Sequence, residues 1–182
     1  MAAPLVVVTI GHSTRPFAEF LALLQAHAVQ RVVDVRTIPR SRHNPQFGTD
    51  QLAPALDRAG IGYTHLAGLG GLRRPRPDSI NKGWRNAGFR GFADYMQTPA
   101  FERHLEECLA LARRERIALM CAEAVPWRCH RSLIADALVA RAVDVRHITG
   151  AGPARPHALT PFARVDGVRI TYPEPGTLFP EP

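Results

Sequence analysis

RIALMCAEAVPWRCHR, residues 116–131, is the stretch that decides the fold. From Ile117 to Cys121 it is an unbroken apolar run, without the alternation of a half-buried strand. Such a run suits a strand covered on both faces, as in a parallel sheet with helices above and below it. Past Cys121 the residues turn polar or small. Trp127–Arg141 then carries Leu133, Ile134, Ala137, Leu138 and Ala140 at helical spacing, so the segment reads as strand, loop and helix.

The same unit recurs on either side. LVVVTI (5–10), RVVDVR (31–36), IGYTHL (61–66) and VDVRHI (143–148) are four further strand candidates. Helical spacing is expected over Pro16–Val29, Thr49–Ala59, Phe89–Met96 and Pro99–Arg114, with Pro16 suited to a first turn and Gly60 to a left-handed cap. Strand–helix repeats with such short crossovers predict a single α/β domain over residues 1–148: a mostly parallel, Rossmann-like sheet with helices on both faces. Residues 149–182 hold seven of the 16 prolines and read as a C-terminal extension. Within it, Asp166-Gly167 between short alternating runs predicts a hairpin over Phe162–Tyr172, and the residues after Pro173 an ordered arm or a frayed tail.

With 182 residues, 46% hydrophobic and 21% charged, the chain has ordinary globular usage, too apolar for disorder. Three irregularly spaced cysteines are no disulfide framework, which fits a reducing, cytoplasmic compartment. No apolar run approaches the roughly 18 residues of a membrane span, so no membrane partner is expected. The N-terminus has no basic segment before its apolar run and reads as a strand, not a signal peptide. Net charge is +7, with Lys82 the only lysine. Basic residues gather at Arg36, Arg40 and Arg42 and again between Arg73 and Arg90, where Asp78 is the only acid. Such loops attract an anionic small molecule or nucleic acid. Gly68–Gly88 is long enough to be a functional loop or a lid.

In open parallel sheets ligands bind outside the carboxyl ends of the strands. Those ends hold His12 and Ser13; Asp34, Arg36 and Ser41; Tyr63, His65, Gly70 and Gly71; and Cys121, Glu123, Cys129, His130 and Arg131. Packing alone does not explain polar or reactive residues at four strand ends. The motifs GHST, DVRTIPRS, YTHLAGLGG, GFADYM and CAEAVPWRCHR resemble a bacterial family called domain of unknown function 488, over about Ile10 to Ile148. The resemblance implies a small α/β domain with these residues gathered at one site, and it supplies no reaction.

Three chemistries remain open on these residues. Glu123, just past a strand end and near His130, His12 or His65, fits a general acid or base for a phosphate-bearing small molecule, nucleotide or nucleic acid. Its alternative is an ion pair with Arg131 or Arg36. Arg36, Ser13, Ser41, Arg131 and the Cys129 backbone form the expected anion-binding group, which serves equally a non-catalytic binding module. Cys121 is the third candidate. Strand, Cys, loop, Arg and helix resemble rhodaneses and cysteine phosphatases, but those cradle the anion in a loop of about five residues, whereas nine separate Cys121 from Arg131 here. Asp34, inside a strand, is expected to orient His12 or an arginine. A metal site is disfavoured because no short Cys-x2-Cys hook is present, and no cofactor is expected. Cys108, on a stripe with Leu105 and Leu109, reads as a core thiol, and Trp127 as either a plug over the Cys121 loop or ordinary packing.

Overall fold

The computed structural model describes residues 4–176. The outermost residues expected at the N-terminal strand (1–3) and in the C-terminal arm (177–182) lie outside the described part. Five strands, β1 (Val6–Gly11), β2 (Arg31–Asp34), β3 (Gly62–His65), β4 (Ile117–Cys121) and β5 (Asp144–Ile148), are mutually parallel. The short β6 (Arg155–Pro156) adds antiparallel to β5, giving the order β3-β2-β4-β1-β5-β6. The hairpin is present as β7 (Arg164–Asp166) and β8 (Arg169–Thr171), turned at Gly167 with φ of 61°. A positive φ at the first residue of a two-residue hairpin loop is where glycine is favoured.

Alternation along each strand divides the apolar residues between two layers. Val8, Ile10, Val32, Ala118 and Met120 face α1 (Phe17–Ala26) and α2 (Thr49–Arg58), through Phe20, Leu24, Leu52 and Leu56. Val7, Val33, Val35, Ile117, Leu119 and Cys121 face the opposite layer of α3 (Ala87–Tyr95), α4 (Pro99–Ala112) and α5 (Arg131–Val139). Continuous apolar strands are therefore buried twice, which is why they read without alternation. Cys108 is a core thiol on α4, fully buried, and burial pushes its pKa up to about 12.

The strand order places the site. The chain leaves β1 and β2 toward α1 and α2, but leaves β4 toward α5 on the other face. Since β4 lies between β2 and β1, connections diverge on both sides of its carboxyl end, opening the crevice where α/β sheets bind ligands. Cys121 ends that strand.

The Gly68–Gly88 segment is held by a buried carboxylate, Asp94 of α3, which accepts from the Arg76 N–H, the Ser79 hydroxyl and the Asn81 amide. Arg73 stacks 3.6 Å from the Tyr95 ring centre. The C-terminal segment is tied down by Asp136 of α5, which accepts from His157, from the N–H and hydroxyl of Thr160, and from the Tyr172 hydroxyl. Ile170 and Tyr172 are buried in the α3–α5 layer.

Asp136→Ala leaves these buried donors without an acceptor. Stability should fall by about 3 kcal/mol or more in urea unfolding, against about 1 kcal/mol for Tyr172→Phe, which removes one hydrogen bond.

Candidate functional site

The carboxyl ends of β1, β2, β3 and β4 converge on one edge, as the alternating order predicted. The His12 and Ser13 N–H groups donate to the Cys121 and Ala122 carbonyls, at 2.9 and 3.0 Å. The connection after β4 thus runs against the end of β1, and Gly11 makes this possible. A Cβ on Gly11 would stand 1.9 Å from the Glu123 carbonyl oxygen.

Beside it lies a buried ion pair. Asp34, without solvent exposure, takes the Arg36 guanidinium in a two-pronged contact, Nε at 2.9 Å and Nη2 at 2.6 Å, and also accepts from the Arg36 N–H and the Tyr63 hydroxyl. Burial, followed by the hydrogen bond to Asp34, holds the Tyr63 phenol far above its usual range. Arg36 also donates to the Phe47 carbonyl and, at 3.3 Å, to His12 Nε2. His12 therefore accepts at Nε2 and donates from Nδ1 to the Ser13 carbonyl, and burial lowers its pKa. Asp34 does orient an arginine, which in turn holds His12. His65 donates to the Arg36 carbonyl, and the Ser41 hydroxyl accepts from the Asn44 N–H.

The helix expected over Trp127–Arg141 begins four residues later than expected. Pro126–Arg128 forms a separate 3-10 turn, Cys129 is extended at φ −131° and ψ 145°, and α5 starts at Arg131. This break folds the nine-residue loop back, so that Cys129 Sγ lies 2.9 Å from Cys121 Sγ. The Cys129 thiol donates to Cys121, and it has a second acceptor, His130 Nδ1, at 3.5 Å. His130 is fixed by donating from Nε2 to the Val35 and Leu69 carbonyls, at 2.9 and 3.0 Å, which leaves Nδ1 unprotonated. Gly71 leaves room for that ring, since a Cβ there would stand 2.5 Å from His130 Nδ1.

Beneath the loop sits Arg131, with no solvent exposure. Its Nη2 donates to the Glu123 and Ala124 carbonyls, while Nε and Nη1 have no partner and no carboxylate pairs with it among the described residues. A buried cation without a counter-charge is costly and favours ionisation of acids around it. The Cys121 pKa is accordingly lowered, first by the Cys129 hydrogen bond and then by Arg131 acting against desolvation. Cys129 shifts strongly upward through the same bond. Of the two sulfurs, Cys121 is therefore the one at which a negative charge is favoured.

A cleft of about 420 Å³ opens over these sulfurs. Of the expected site residues, Arg36, Gly71, Cys121, Glu123, Cys129 and His130 line it. His12, Ser13, Asp34, Ser41, Tyr63, His65, Gly70 and Arg131 do not line it; Asp34 and, through it, Tyr63 reach the cleft by holding Arg36. Arg131 is thus placed under the loop and not in the cleft wall. The cleft also has Arg40 and Arg128, exposed cations that pair with no described residue. Arg40 stood in a basic group legible in the sequence, and Arg128, separated from Cys121 by six residues, joins it at the cleft. Glu123, exposed at the rim, makes no side-chain hydrogen bond or ion pair among the described residues. Neither His12 nor His130 reaches its carboxylate. Among the described residues no three His, Cys, Asp or Glu side chains converge as a metal-ligand group, and no helix is long and apolar enough to cross a membrane.

The family described as domain of unknown function DUF488 matches over residues 16–138, more than half of the chain. No curated protein and no solved structure matches it.

Two outcomes follow from the geometry. Diamide, a two-electron thiol oxidant, should join Cys121 to Cys129 within one chain and spare Cys108, as peptide mass mapping would read; modification of Cys108 at a comparable rate would contradict the arrangement. Burial lowers the His130 pKa to about 4, below its ordinary 6.5. The unfolded chain therefore takes up this proton first. The stability due to neutral His130 is complete above pH 6.5 and declines as pH falls toward 4, by about 3 kcal/mol. His147, lowered to about 3 by burial, adds to the same decline. His130→Gln should flatten the acid limb of a thermal-melt pH series.

Proposed function

The chain belongs to the DUF488 family, and we propose that its site is a thiol-based catalytic centre for group transfer from an anionic substrate. The observation that carries this reading is the Cys121 sulfur at the switch point of the sheet, accepting from Cys129 at 2.9 Å above an uncompensated guanidinium. The thiolate is the nucleophilic form of cysteine, and cationic neighbours are what stabilise it.

The cleft supplies what such a reaction needs. Arg40 and Arg128 are free to hold the substrate's negative charge at the rim, with Arg36 fixed between them and Asp34. Cys121 Sγ attacks the electrophilic atom, forming a sulfur–substrate bond as the bond to the leaving group breaks and its electron pair departs with that group. In the second half, water attacks the intermediate, Glu123 takes up a proton of that water, and the Cys121 thiolate is released. Cys129 stabilises the thiolate at the start and the end of the cycle through its S–H. The unprotonated His130 Nδ1, 3.5 Å from Cys129 Sγ, is the alternative acceptor for that single proton. Glu123, the leading acid–base candidate on sequence, keeps a proton-transfer role here beside Cys121 as nucleophile.

Iodoacetamide alkylation of Cys121 should show a pH midpoint below the roughly 8.5 of a free thiol. Cys129→Ala and Arg131→Met should both move that midpoint upward. Inorganic phosphate or sulfate should slow the alkylation, less so in an Arg40→Ala/Arg128→Ala double variant. Against a panel of aryl phosphates and nucleotides, any turnover should fall at least about 10³-fold in Cys121→Ser and about 10²-fold in Glu123→Gln. Full turnover in a folded Cys121→Ser protein overturns the proposal.

A further inference from the structure

On the far side of the 122–130 loop from the thiol cleft is a second cavity, of about 810 Å³. Ligand pockets span roughly 300–1,000 Å³, and they combine apolar walls with a few placed polar groups. Here the walls come from two directions. Ala124, Val125 and Trp127 of the loop form one side, and the segment from Arg155 to Phe162 forms the other. The chain has two tryptophans, and both line this cavity.

Their surroundings differ. Trp84 packs on Phe89, Phe162 and Tyr172, with ring centres 4.9 to 5.5 Å apart, so its ring is a fixed wall. Trp127 is 68% exposed and makes no ring contact among the described residues. A large exposed indole beside a cavity offers a stacking face that no protein group uses.

The charge is one-sided. Arg15 and Arg155 line the cavity, and no carboxylate among the described residues does. Arg15 reaches Glu19 on the exposed side at 3.4 Å, while its Nε is buried without an acceptor. The Arg155 side chain is exposed and pairs with no described residue. Trp84 Nε1 is a second buried donor without an acceptor. The polar floor is already committed: His147 bonds Thr9 and His157, and His157 bonds Asp136.

We infer that this cavity binds a nucleotide, its base against Trp127 and its phosphate toward Arg15 and Arg155. A flat heterocycle fits a tryptophan face whatever its hydrogen-bonding edge, and forked guanidinium groups suit phosphate oxygens. Apolar walls alone would suit an uncharged ligand; two arginines without an acid select an anion. The inference goes beyond the thiol reading and does not depend on it, because none of the residues invoked touches Cys121.

Intrinsic tryptophan fluorescence and calorimetry on the full chain test it, with adenosine 5′-monophosphate as the probe. The expected result is saturable quenching. Adenosine and ribose 5-phosphate, each lacking one half of the ligand, should bind at least 10-fold more weakly. Trp127→Ala should weaken binding by about 5- to 100-fold, and Arg155→Ala by a similar factor. Both positions are exposed, so an unchanged circular dichroism spectrum is expected to accompany the loss. Cys121→Ser should bind as the wild type does, which separates this result from any failure of the thiol reading. Absence of binding to the purine and pyrimidine monophosphates at millimolar concentration overturns the inference. So does binding that ribose 5-phosphate matches and Trp127→Ala leaves unchanged, since the phosphate would then be held elsewhere.

Discussion

A guanidinium with no solvent exposure and no carboxylate partner is the feature around which the rest of this site is arranged. Arg131 sits at the first turn of α5, under a loop whose carbonyls at Glu123 and Ala124 take only one of its nitrogens. A charge so placed is tolerable only if negative charge stands near it. The Cys121 and Cys129 pair supplies that charge when one proton is shared between two sulfurs. A thiolate at Cys121 and the buried Arg131 cation would therefore stabilise each other. Holding them together requires the loop to fold tightly, and the Gly11 close approach, the Pro126 turn and the extended Cys129 are the backbone conditions for that.

Around this centre the protein uses buried carboxylates as anchors. Asp34 aligns Arg36 and, through it, His12. Asp94 organises the long basic segment, whose backbone and side-chain donors it collects at three points. Asp136 fixes the C-terminal segment through His157, Thr160 and Tyr172. In each case one acidic group satisfies several donors, so that irregular chain is held by hydrogen bonds at several points. The two cavities are consequences of this plan. They lie on opposite sides of the 122–130 loop, one walled by the β2 and β3 loops, the other by the segment that Asp136 ties down.

Several parts of this arrangement were legible in the residues alone. The apolar runs named the five parallel strands because both sheet faces are covered, and Gly167 marked the hairpin because its positive φ favours glycine. Polar residues clustered at the strand ends, and the parallel sheet then required those clusters to share one edge. The glycines of 68–71 were less transparent. Gly70 and Gly71 stood among the strand-end candidates, and what Gly71 does is make room for the His130 ring. Asp136 carried a signal that went unread: a carboxylate within the apolar stripe of a buried helix, where only multiple hydrogen bonds make it tolerable.

The sequence by itself thus determined the class of fold, the edge at which chemistry collects and most of the residues that meet there, because burial and chain direction are local properties of strands. The tertiary structure decided which residues act on one another. Counting along the chain, nine residues between Cys121 and Arg131 looked too many for a compact anion cradle. Folding shortened that distance with a 3-10 turn, set Cys129 against Cys121, and turned Arg131 downward into the protein. Spacing fixes how far a loop can reach, but its path depends on the surfaces that receive it. Here those surfaces, Gly11 at the end of β1 and the carbonyls of Val35 and Leu69 around His130, come from other parts of the chain.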